Sequence, residues 1–356
     1  MKSSWKELAS VYIGTVVGAG FATGQEIIQF FGVYGYKGIY GIIFATFLFS
    51  IMGAIVLYRV FKNKITSYSE YITPLFGRRI SKIMELIIIS YLFIGYCIML
   101  AGSGAVFEEQ FKLPFNMGIY VMAFLCFLTF IFSVEGISFV NKIVVPFLII
   151  GIIVVGSAVI LKEGFVFSNF IGVSITKTGN WVTSALLYVS YNSISALVIL
   201  TSILPILDSE KQAIKGGIFG GLGLGAMAIF ILLPILILYT DVFSIEIPML
   251  KIAGFLGQWS RYMYSAILWL AMFTTAIGNG FGCINRLIGS YKKSQIGISA
   301  VFCIISIPLA KIGFSSLVSI IYPLFGYLGL FMLVYIIVDE FMYILGISRR
   351  NLYKKK

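Results

Sequence analysis

The sequence predicts an all-α membrane protein of about ten transmembrane helices, on three observations. Of 356 residues, 60% are hydrophobic and only 11% charged, too few charges to cover a water-facing surface of that size. The charges gather in short patches, and the apolar stretches between them can cross a hydrocarbon core about 30 Å thick. Stretches such as 143–161 are apolar on every side, whereas barrel strands alternate polar and apolar residues over about ten positions. Lipid leaves only closed barrels and helices able to satisfy every backbone amide, so helices remain.

Taken in order, the apolar runs place spans near 8–32, 38–61, 83–107, 117–134, 143–161, 181–205, 216–240, 262–290, 295–311 and 314–338. The first follows Lys2 and Lys6 as a leader would, but it runs past about 20 residues with no small-residue cleavage site, so it is a span. Arg59, Lys62, Lys64, Arg78, Arg79 and Lys82 separate the second from the third. The sixth is polar in its middle, and the seventh opens on Gly216, Gly217, Gly220, Gly221, Gly223 and Gly225, a pattern for close packing against a neighbour. Between the seventh and eighth, 247–257 predicts a short surface helix. No low-complexity segment or linker interrupts the chain, so residues 1–356 form a single transmembrane domain. An even span count and a long connection after the fifth allow a five-plus-five inverted repeat, pairing span 1 with span 6 and span 3 with span 8.

The net charge of +12 follows from topology, not from nucleic-acid binding. With both termini cytoplasmic, only Lys37, Lys112, Lys162, Lys177, Lys251, Arg261 and Lys311 of the 26 basic residues face outward. The chain has no histidine and no C-x-x-C, and Cys97, Cys126, Cys283 and Cys303 all lie in apolar runs. Zinc, haem and His-based catalysis therefore lose their usual groups, and the thiols are small buried hydrophobes. An intramembrane enzyme would also need a nucleophile–base pair that the span interiors do not supply, so the chain is expected not to be an enzyme and to need no organic cofactor.

Three constellations could carry chemistry. Span 1 holds Gly14, Gly18, Gly20 and Gly24, each weakening a helix by about 1 kcal/mol relative to alanine. A break there would free backbone groups, tolerable in lipid only where they line a cavity or bind something. Amides around Gly18, Ala19, Gly20 and Phe21 would suit an anion such as a carboxylate, and freed carbonyls a cation or ammonium. A small-residue packing face, with glycines four apart, accounts for the same pattern equally well. Glu26 closes this run, either as an intramembrane acid able to couple protons or as an outer-vestibule group hydrated or paired with lysine. Mid-span 6 carries Tyr188, Ser190, Tyr191, Asn192, Ser193 and Ser195, which should face the bundle interior, for a solute or for interhelical hydrogen bonds. Span 8 carries Ala271, Thr274 and Thr275, hard oxygens for an alkali cation or threonines back-bonded to their own helix.

The stretch from Gly14 to Glu26 (G-T-V-V-G-A-G-F-A-T-G-Q-E), the polar middle of span 6 and the A-x-x-T-T of span 8 resemble the LeuT-type fold of the amino acid–polyamine–organocation transporters. Within these, the chain is most similar to the YkvI-type bacterial membrane proteins and more distantly to branched-chain amino acid:cation symporters. The resemblance implies a secondary transporter of the bacterial inner membrane, with broken spans 1 and 6, working by alternating access on a small amino-acid-like solute. It implies a sodium ion held by Gly14, Val17 and Ala271 carbonyls and Thr274 and Thr275 hydroxyls, and solute contacts at Gly18–Phe21 and Ser190–Ser193. Some relatives use a span 5 lysine in place of that sodium; here Lys142 lies at the span edge and the interior has none. The outer-gate arginine of some relatives is also unmatched in span 1. Proton coupling through Glu26 and a non-transporting membrane sensor or structural role are the alternatives.

Overall fold

The structure is a computed structural model that describes residues 4–132, 137–165, 178–288 and 295–344. Glu135, Lys177, Lys292, Lys293 and the basic tail from Arg349 lie outside the described residues, as does the Lys142 side chain. The first expected span is divided into α1 (Trp5–Val16), α2 (Ala19–Thr23) and α3 (Gln25–Phe30). There follow α4 (Lys37–Asn63), α5 (Tyr68–Phe111), α6 (Phe115–Phe132), α7 (Ile137–Glu163), α8 (Trp181–Leu200) and α9 (Glu210–Ile237). The short α10 (Tyr239–Val242) and α11 (Pro248–Gly254) precede α12 (Gln258–Ile288), α13 (Gln295–Ala310) and α14 (Phe314–Ile344).

Seven described helices are long and apolar enough to cross a bilayer (α4, α5, α7, α8, α9, α12 and α14), and α6 and α13 are shorter apolar helices. With the divided first span they account for the expected architecture, and the described residues contain no strand. Helix packing shows the inverted repeat. A two-fold that exchanges span n with span n+5 maps the contacts α4–α9, α5–α12 and α6–α13 onto themselves, and all three are present. It also maps α1–α9 onto α8–α4, α7–α12 onto α14–α5, and α7–α9 onto α14–α4; each member of each pair packs.

The glycines of α9 explain how three helices approach so closely. A Cβ on Gly216, Gly220 or Gly223 would overlap Leu8, Tyr12 or Ile13 of α1, and one on Gly217, Gly221 or Gly225 would overlap Ala54, Ser50 or Thr46 of α4. One small-residue helix therefore seats two neighbours on two faces. The third span starts earlier than its apolar run, because α5 includes a first arm, 68–76, ending at Gly77 (φ 76°, ψ 165°). That arm packs Tyr71, Ile72 and Phe76 inward, and Leu75 O accepts from Tyr335 of α14 at 3.0 Å.

The expected helix at 247–257 forms as α11, but it is not a surface helix: Pro248, Met249, Leu250, Ile252 and Ala253 are buried. Nearly every position of that run is apolar, so it has no polar face to turn to water. Glu109 of α5 accepts from the amides of Glu246 (2.9 Å) and Ile247 (3.4 Å), and so holds the α11 approach against the bundle. Three acids pair with cations between helices. Glu85 pairs with Arg286 at 2.7 Å, and Arg59 of α4 reaches Glu340 at 2.5 Å and Asp339 at 3.0 Å on α14. The four cysteines are free and buried.

Candidate functional site

The glycine-rich run does break the first span. Val17 closes α1 with ψ 77°, Gly18 is extended (φ −96°, ψ −174°), and α2 begins at Ala19. A second interruption follows at Gly24, which takes φ 82°; a side chain there would be strained and would meet Met249, Ile235 and Pro248. Two interruptions in quick succession free backbone groups, and some find side-chain partners. Thr23 Oγ1 donates to Gly20 O at 2.6 Å, and Tyr264 of α12 donates to Ala22 O at 2.6 Å. Residues 19–23 are buried, so the first-turn amides of α2 sit inside the bundle without an intrahelical acceptor.

Glu26 does not sit in an outer vestibule. It is 5% exposed, Tyr191 of α8 donates a short hydrogen bond to it, and no basic residue pairs with it among the described residues. Its carboxyl folds back toward the break, where a Cβ on Gly20 would overlap Oε1. The Tyr322 hydroxyl of α14 lies 3.3 Å from the same Cβ position, and its ring stacks on Tyr191 with centroids 4.7 Å apart. Tyr188 packs on Phe30, Phe31 and Tyr191, with its buried hydroxyl unpartnered among the described residues. Gly20, Glu26, Tyr191 and Tyr322 thus meet at one buried point formed by the broken span, α8 and α14.

Tyr188, Ser190, Tyr191, Asn192 and Ser193 are buried and Ser195 is half-buried, but most spend their donors on their own helix. Ser190, Asn192 and Ser193 donate to Leu186, Tyr188 and Val189 carbonyls, respectively, and Ser195 to Asn192 O. Ser190 also faces α14, where a Cβ on Gly329 would overlap its carbonyl. Of the four residues from 190 to 193, Tyr191 alone hydrogen-bonds to the broken span. Helix α8 is continuous through this cluster; the interruption of span 6 comes at 201–203, before a 3-10 turn over Leu204–Ile206.

On α12, Thr274 Oγ1 donates to Ala271 O at 3.1 Å, the back-bond that the bland reading expects. Both residues are buried and Thr275 is half-buried. Val17 is buried, and the space beside Gly14 is bounded by Val145 of α7 at 3.5 Å. No hydrogen bond joins the α1 carbonyls to the α12 hydroxyls among the described residues. Tyr96 belongs to the aromatic packing between α5, α6 and α13, with Phe130 and Phe302. Tyr322 was missed by sequence reasoning; its one signal is its place beside Pro323 within an apolar span.

No family model matches the chain. In sequence it is similar to the Bacillus subtilis membrane protein YkvI, 33% identical over 334 residues that cover 92% of this chain and 94% of that one. It is also similar to Bacillus subtilis YyaD, 28% identical over 90% of this chain and 93% of that one. Among solved structures it resembles MhsT in complex with L-phenylalanine (TM-score 0.64, 13% identical, 99% of this chain and 95% of that one). It also resembles inward-facing Mhp1 (0.56, 12%, 100% and 82%) and a manganese transporter from Eremococcus coleocola (0.53, 14%, 98% and 90%). These structural likenesses establish a shared LeuT-type fold.

Proposed function

We propose that this chain, which belongs to the YkvI family of multi-pass membrane proteins, is a secondary transporter of a small amino-acid-like solute in the bacterial cytoplasmic membrane. The observation that carries the proposal is the meeting of Glu26, Tyr191 and Tyr322 at the broken first span, buried within the bundle. A bundle with no task at its centre has no use for an interrupted span and a carboxyl without a basic partner; both cost stability. The solute is read as amine-bearing, because the negative group beside Gly20 is the protein's own. The first-turn amides of α2, from Ala19 to Phe21, would take its acidic end, and the Ser190–Ser193 face of α8 would close over it. Solved structures of this fold include one in complex with L-phenylalanine, which agrees with a solute of that class. The distribution of lysine and arginine supports a reading with both termini in the cytoplasm.

Two couplings are open to such a site. Sodium would use the Gly14, Val17 and Ala271 carbonyls with the Thr274 and Thr275 hydroxyls. Proton coupling would use Glu26, and its burial beside Tyr191 is the observation that favours this second reading. Solute counterflow into proteoliposomes, screened across amino acids and their amines, tests transport itself. The expected result is saturable exchange of at least one amine-bearing solute. A folded protein that is stabilised by a solute yet exchanges none would be a sensor and would overturn the proposal.

A further inference from the structure

A groove of about 840 Å³ runs along the flank of the bundle between α4 and α9, lined also by α14 through Ile337, Phe341 and Glu340, whose carboxylate is paired with Arg59. Its walls are Ile43, Phe47 and Ile51 of α4, Leu222 and Ala226 of α9, and Phe341 of α14. All three helices are long and apolar enough to cross a bilayer, so the groove opens to hydrocarbon. Its depth follows from the glycines of α9. Gly217, Gly221 and Gly225 let the two backbones touch along the floor, while larger side chains on each flank splay apart as walls.

The pairing of Gly217 with Ala54, Gly221 with Ser50 and Gly225 with Thr46 runs in opposite directions along the two helices, so the end of α4 meets the start of α9. Followed by helical spacing, the α4 wall passes from Ile51 and Ile55 to Tyr58 and Lys62, and the α9 wall passes back from Leu222 and Ile218 to Lys215 and Lys211. All three lysines are exposed. Lys62 Nζ donates to Tyr58 and Tyr343 hydroxyls at 2.6 and 3.2 Å, which leaves a third N–H to give. An apolar trough thus ends between cations at the edge of the membrane, the complement of an acyl chain beneath an anionic headgroup.

We propose that this groove binds one anionic phospholipid, its acyl chain between α4 and α9 and its phosphate between Lys62 and Lys215. The site is separate from the broken-span site and does not depend on what that site transports. The test is titration of phosphatidylglycerol and of phosphatidylcholine onto delipidated full-length protein in detergent, read by native mass spectrometry. Ala226→Phe fills the groove from an exposed position, so the fold should tolerate it. Phosphatidylglycerol should bind wild type more tightly than phosphatidylcholine and should lose its saturable site in Ala226→Phe. Lys62→Gln and Lys215→Gln should each weaken it about fivefold. Equal binding of the two lipids, lysine variants that bind as wild type, or unchanged binding to Ala226→Phe would each overturn the proposal. So would a wild-type dimer that Ala226→Phe dissociates, since the occupant would then be a second copy.

Discussion

A carboxylate inside an apolar bundle costs several kcal/mol unless something compensates, and at Glu26 the partner is the Tyr191 phenol, with no arginine or lysine paired to it among the described residues. Gly20 is the residue that makes room for it. A methyl group there meets the far end of the Glu26 side chain, which can swing away without moving backbone, so Gly20→Ala should fold and displace the carboxyl. The expected outcome is a monodisperse protein that has lost solute-induced thermal stabilisation, with Gly20→Leu more severe in binding. Unchanged stabilisation in both would make the glycines packing elements and move the site elsewhere. The glycine run allowed the break but equally allowed a small-residue packing face, and the structure decides for the break. The run could not announce the partner of Glu26, since Tyr191 is distant in sequence and reaches Glu26 only through the packing of α8 on α3. Nor did it show that Glu26 turns back into the bundle; that follows from the left-handed Gly24, which re-aims α3 after α2.

At the scale of elements, polar residues in a span have two sinks, another helix or their own carbonyls, and sequence cannot choose between them. In α8, Ser190, Ser193, Ser195 and Asn192 bond to their own helix, so a cluster that reads as a binding face is largely self-satisfied, and Tyr191 makes its hydrogen bond to the broken span. The charged residues at the other end of the bundle behave oppositely. Arg59 is 1% exposed and ties α4 to α14 through Glu340, Asp339 and the Ile336 carbonyl, while the α5 arm brings the Tyr71 ring within 6.0 Å of the guanidinium. The burial of Asp339 and Glu340 is not legible in the sequence, because Arg59 lies in another span. Arg59→Met leaves two carboxylates in a buried place and should destabilise the protein by about 3–5 kcal/mol, whereas Asp339→Asn, which keeps the Arg59–Glu340 contact, should cost clearly less. Thermal and denaturant unfolding in detergent would check the order, and equal losses would mean the three groups do not act as a clamp.

The whole molecule is a pair of five-span halves whose contacts map onto each other, although no sequence similarity between the halves is visible. The span count was legible because hydropathy alone sets it, and the repeat was legible only as an allowance, because it resides in which helices touch. On the proposed reading, two such halves would present the broken span to either side of the membrane in turn, and the gradient of a coupling ion would set the favoured direction. Two oxygen sets compete for that role. Three carbonyls, from Gly14, Val17 and Ala271, with the hydroxyls of Thr274 and Thr275 would make a neutral shell for a weakly held sodium ion. Removing one hydroxyl in Thr275→Ala should then raise the sodium concentration for half-maximal uptake by about tenfold to a hundredfold, as loss of one hydrogen-bond-class contact to a charge of about 1.5–3 kcal/mol implies. Thr275→Ser keeps the oxygen and should be mild. If Glu26 is the coupling group, uptake follows the imposed pH gradient, ignores replacement of sodium by choline, and disappears in Glu26→Gln while Thr275→Ala transports normally. Measuring uptake by wild type and these variants across sodium at two fixed pH values separates the two. The geometry at Gly20 gives Glu26 a further signature: because its carboxyl lies against the solute region, Glu26→Gln should also weaken solute binding at equilibrium, whereas Thr275→Ala should change it only through sodium.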